Sequence, residues 1–134
     1  MAIQDETAPD LADIAAIAQA TINALPEPFR QHAHEVALRV VDLAEADMLS
    51  SMGLEDPFSL TGLYDGVPLT EKSFGDQPGQ PDAVWLFRRA ILDEWAERGD
   101  VTLKALVSHV TVHEFAHHFG WSDEDIASID EWWR

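Results

Sequence analysis

The stretch HEFAHHFGWSDED, residues 113–125, constrains the fold most, because it sets histidines and a glutamate into an otherwise apolar helix. Ahead of it, Leu103, Leu106, Val107 and Val110 recur at helical spacing and line one stripe. At 100° per residue His113, Glu114 and His117 emerge on that same side near the C-terminal end. Val112, Phe115, Ala116 and Phe119 occupy the other flanks, so the second half is apolar nearly all round and reads as a buried element. A polar group there is costly unless it has a partner. The spacing predicts a helix over 102–119, capped by Asp100 or Thr102 and closed by Gly120.

His113 and His117 stand one turn apart, roughly 6 Å along the axis, so their rings can converge on one ion. Glu114 points about 100° away from His113, close enough to address a water without binding the ion. That is the mechanical content of H-E-x-x-H. The chain has no cysteine, so a metal must be held by imidazole nitrogens and carboxylate oxygens, a donor set that suits zinc. The pattern continues as H-E-x-x-H-x-x-G-x-x-D. Gly120 lets the chain turn out of the helix, and Asp123 is placed to fold back beneath the two histidines as a third ligand. The competing reading of Asp123, with Glu124 and Asp125, is a cluster of acids favouring the dipole of a following helix. The competing reading of the histidines is a set of satisfied core side chains. His109, one turn before His113, is a neighbour of the site or a partly exposed side chain. His118 points away from His117 and is read as a supporting residue or a satisfied surface one, without a zinc bond. His32 and His34 carry no partner signal.

Length and charge bound the rest. A chain of 134 residues with 46% hydrophobic content and five tryptophans is read as one folded domain over 1–134. It comprises an N-terminal helical segment, 1–34, and a core, 35–134. The formal charge of −17 repels phosphate backbones and argues against nucleic acid. It is read as a solubility effect, with attraction of a basic peptide or protein as the alternative. No apolar run approaches a membrane span. The acidic opening MAIQDETAPD lacks the layout of a secretory signal, so the cytoplasm is the expected location.

Along the chain, Leu11, Ile14, Ile17, Ala18, Ile22 and Leu25 predict an amphipathic helix over 10–25, ended by Pro26 and Pro28. EVALRVVDL, 35–43, is β-branched and predicts a strand, with extension of a helix from the preceding segment as the alternative. AEADMLSSMGL, 44–54, predicts a short helix closed by Gly53. FSLTGLYDGVPLT, 58–70, holds a strand broken at Asp65-Gly66, and FGDQPGQPD, 74–82, a loop. AVWLFRRAIL, 83–92, begins as a strand and passes into a helix ending near Gly99. Ser122 and Asp125 begin a last helix carrying Ile126, Ile129 and Trp133. The fold class is α+β.

HEFAHHFGWSDEDI, together with GLYDGVPLTEKS and the strand VWLFR, resembles the zincin-like metallopeptidase family of minimal metalloproteases, over roughly residues 36–130. The resemblance implies a compact zincin-like fold, a small mixed β-sheet packed on the H-E-x-x-H helix. It also implies His113, His117 and Asp123 as ligands of one Zn2+ per chain, with Glu114 as general base. The three methionines, Met1, Met48 and Met52, all lie upstream of the site, unlike the longer clans with a methionine turn after it.

The function expected is zinc-dependent hydrolysis of peptide bonds by an endopeptidase acting on a peptide or protein. The strand around 84–88 is a candidate edge for an extended peptide. Tyr64 is either a partner of the oxyanion or a core tyrosine; Arg88 and Arg89 are either oxyanion partners or members of surface ion pairs. The alternative function is a non-catalytic zinc-binding or acidic protein-interaction module. Glu114 tells against it, since a structural site needs no glutamate beside its first histidine.

Overall fold

The computed structural model describes residues 8–66 and 82–120, as five helices and a three-stranded sheet. The first helix, α1 (Leu11–Asn23), opens with a reciprocal cap: Asp10 accepts from the Asp13 N–H and Asp13 from the Asp10 N–H, each at 2.8 Å. Its buried face, Ile14, Ala18 and Ile22, follows the four-residue spacing of a helical stripe. A five-residue helix α2 (Phe29–Ala33) leads into strand β1 (Ala37–Val41). Helix α3 (Ala46–Ser51), a single 3₁₀ turn at Pro57–Ser59 and strand β2 (Gly62–Asp65) follow. Strand β3 (Ala83–Phe87) runs directly into α4 (Arg88–Arg98). Gly99, at φ 71°, closes α4. The longest helix is α5 (Leu103–His118). Of the two caps open to it, Thr102 is used: its hydroxyl accepts from the Ala105 N–H at 3.0 Å.

The sheet order is β1-β3-β2, with β1 parallel and β2 antiparallel to β3. This overturns the expectation that the strand near 84–88 is an edge. Leu86 pairs with Val40 on one side and Gly62 on the other, so the ladder of β3 is filled on both flanks. The reason is legible afterwards. Ala83, Val84, Leu86 and Phe87 are all buried, and an apolar run without polar alternation marks a strand covered on both faces.

Alternate residues of β3 serve two cores. Val84 and Leu86 join Ile14, Ala18 and Ile22 of α1 with Leu106, Val107, Val110 and Phe115 of α5. Phe87 joins Ala44, Leu49, Leu60 and Ala90 in a smaller cluster under α3 and α4. The N-terminal helix is thus part of the same core as the sheet and α5. A fully buried Leu, Ile or Phe contributes roughly 1.5–3 kcal/mol, so the apolar face of α5 readily outweighs its few buried polar side chains. Short elements such as α2 and the 3₁₀ turn had no periodic signal in the sequence. The last helix expected after Ser122 lies outside the described residues. Among the described residues no helix is long and apolar enough to cross a membrane.

Candidate functional site

The second half of α5 sorts its side chains by burial. Val112, Phe115, Ala116 and His118 face inward, with Phe115 fully buried and His118 only 3% exposed. His113, Glu114 and His117 form a half-buried rim. The imidazoles of His113 and His117 lie with centroids 4.9 Å apart and planes at 82°. His109 continues the row, its centroid 6.2 Å from that of His113. The helix ends as its sequence required: Gly120 adopts φ 86° and its N–H donates to the His117 carbonyl at 3.0 Å.

Glu114 is set against β2 by a glycine. A Cβ on Gly62 would meet Val110 Cγ1 at 2.8 Å, Glu114 Cγ at 3.0 Å and the Trp85 carbonyl oxygen at 3.3 Å. Only a residue without a side chain lets β2 approach α5 this closely. Gly62 therefore brings the backbone of β2, an outer strand among the described residues, beside the carboxylate-bearing side chain. The sequence signal for this was only the string GLYDG, read as strand and turn.

A part-buried polar knot lies at the same helix end. The Tyr64 hydroxyl donates to Asp82 Oδ2 at 2.9 Å and lies 2.9 Å from His118 Nδ1. His118 Nδ1 is itself 3.3 Å from Asp82 Oδ2. Burial, then the hydrogen bond and charge of Asp82, then the charge of Asp65, push the phenol well above the usual tyrosine range and keep it protonated. Its hydroxyl donates to Asp82, an arrangement that fits the core reading of Tyr64. His118 is likewise buried and hydrogen-bonded, which removes its surface reading. Arg88 donates from Nε to the Pro9 carbonyl at 2.6 Å and pairs with Asp42 at 3.1 Å. The Arg89 guanidinium sits 5.5 Å over the Phe58 ring. Arg88 is thus ion-paired, whereas the contact of Arg89 is with an aromatic ring.

The donors present fit zinc in kind. Two imidazoles a turn apart sit on the accessible rim of a rigid, buried helix, and zinc favours such nitrogen ligands. Among the described residues no group of three His, Asp or Glu is gathered to hold a metal. Asp123, the third ligand expected from the sequence, lies outside the described residues.

A family model described as zincin-like metallopeptidase matches residues 33–133. No curated protein matches the chain.

Proposed function

The chain belongs to the zincin-like metallopeptidase family, and on that premise we propose that it is a zinc-dependent endopeptidase with Glu114 as its general base. The observation that carries this reading is the paired rim of α5, where His113 and His117 lie ring to ring at 4.9 Å. His113, His117 and Asp123 would hold the zinc ion, the last reaching back past the turn at Gly120. Zinc, when bound there, supplies a Lewis acid for the scissile carbonyl and makes water acidic enough to lose a proton near neutral pH.

The chain's own residues do the rest. The Glu114 carboxylate accepts a proton from the attacking water and returns it to the leaving amine. Gly62 lets the backbone of β2 approach Glu114. Since β3 is central, the strand-addition idea moves to β2, which among the described residues pairs on one side only, with β3. An extended peptide laid along β2 would carry its carbonyl past Glu114, its main chain held by ladder hydrogen bonds. The rigid apolar packing of Phe115 and Ala116 keeps the rim residues from reorganising as the reaction proceeds.

The test separates the two functions. Glu114→Gln should retain zinc and lose hydrolysis of a broad peptide library. Inactive wild-type protein that holds zinc normally would instead favour the non-catalytic zinc-binding module.

A further inference from the structure

The knot formed by Tyr64, Asp82 and His118 joins three elements at the end of α5. Tyr64 comes from β2, Asp82 directly precedes β3, and His118 is the last residue of α5. Its protons can be counted. A carboxylate brings none and the phenol brings one, which goes to Asp82 Oδ2. The 2.9 Å and 3.3 Å contacts of His118 Nδ1 are therefore satisfied only if that nitrogen carries a hydrogen and donates. The tautomer follows from the network. The ring is thus held from two elements outside its helix. Gly66 makes room for the arrangement, since a Cβ there would come within 2.5 Å of the Asp82 carboxyl group.

The position of this anchor gives it a consequence. Helix ends fray, and His117 lies in the last turn. Successive residues on a helix are about 100° apart, so holding the His118 ring inside fixes the rotation of that turn and with it the direction of His117. We infer that Tyr64, Asp82 and His118 are positioning residues that lock the last turn of α5 and hold the His117 imidazole where it can share a cation with His113. The inference rests on the zinc reading above.

The experiment measures zinc affinity by chelator competition and the visible absorption of the Co2+-loaded protein, in wild type, Tyr64→Phe and Ser108→Ala. Ser108 lies ten residues before His118 on α5 and makes a buried hydrogen bond to Thr21 of α1, so its variant reports a purely structural loss. Tyr64→Phe is expected to weaken zinc about tenfold or more, the scale of lost support around a metal ligand, and to alter the Co2+ spectrum. Ser108→Ala is expected to change neither. If Tyr64→Phe does not fold, Asp82→Asn, which keeps the shape and drops the charge, should weaken zinc in the same direction. Wild-type affinity and an unchanged spectrum in a folded knot variant would overturn the inference, as would equal weakening in Ser108→Ala. Wild-type protein that binds no zinc would overturn the metal reading and this inference with it, and is recognised because no variant is needed to see it.

Discussion

The two halves of α5 treat their polar side chains in opposite ways. From its start to its middle, Thr111 donates to the Val107 carbonyl at 2.7 Å, and Ser108 meets Thr21 of α1 at 2.8 Å. Since the Thr21 hydroxyl already donates to the Ile17 carbonyl at 2.9 Å, Ser108 must be the donor of that pair. These groups complete one another within the apolar seam between α1 and α5. In the second half, His113, Glu114 and His117 are held at the half-buried rim while their neighbours are buried. One helix thus carries a polar set closed by its own partners and a second set that the proposed function reads as chemical. The difference is that the first is closed inside the fold and the second is presented at its rim.

The sharpest way to break that division is to exchange the consequences. Glu114→Gln is expected to lower peptide hydrolysis by roughly 10²–10⁴-fold, the usual scale for a general base, with the fold intact by circular dichroism. Ser108→Ala should leave turnover close to wild type, and a comparable fall in both would erase the distinction. Next in size, Asp123→Ala should weaken zinc markedly more than Asp125→Ala in a chelator titration. Equal effects would assign both acids to a helix dipole.

Gly62 lies where the two sets meet the sheet. Gly62→Ala should destabilise the protein by about 1–3 kcal/mol, the cost of overpacking a close approach, as read by urea unfolding. It should also depress activity, because relief requires Val110 or Glu114 to move. Smaller again, Ser108→Ala should cost about 1 kcal/mol in the same assay, and a double-mutant cycle with Thr21→Val should reveal coupling between them.

The last effect is one of pH. An unfolded tyrosine titrates near pH 10, and Tyr64 titrates higher in the fold, chiefly through burial. Its contribution is fully present below the unfolded value and is lost as pH rises beyond it, because only the unfolded state then gives up the proton. Thermal midpoints should fall above about pH 10 more steeply in wild type than in Tyr64→Phe. Tyr64 is the only tyrosine, so tyrosinate absorbance follows this group alone.

What could be read in the sequence was whatever is local along the chain. The span and cap of α5, the turn at Gly120 and the one-turn separation of His113 and His117 all follow from spacing within a single helix. The pairing of β3 did not, since VWLF signals burial without saying which strands cover its edges. Gly62 was invisible as a packing device because Val110 and Glu114 lie about fifty positions away in the chain. The same holds for Tyr64, Asp82 and His118, whose bonds span separations of 18 and 54 residues. Interactions closed by the tertiary fold leave no periodic trace.

The central claim concerns the cation on the rim of α5. The most direct measurement is zinc content, by elemental analysis, of wild-type protein and of the His113→Ala/His117→Ala double variant prepared side by side. About one zinc per chain in wild type and none in the variant is predicted, as expected for a site built on two imidazoles. Equal zinc in both preparations, or none in the wild type, would contradict it.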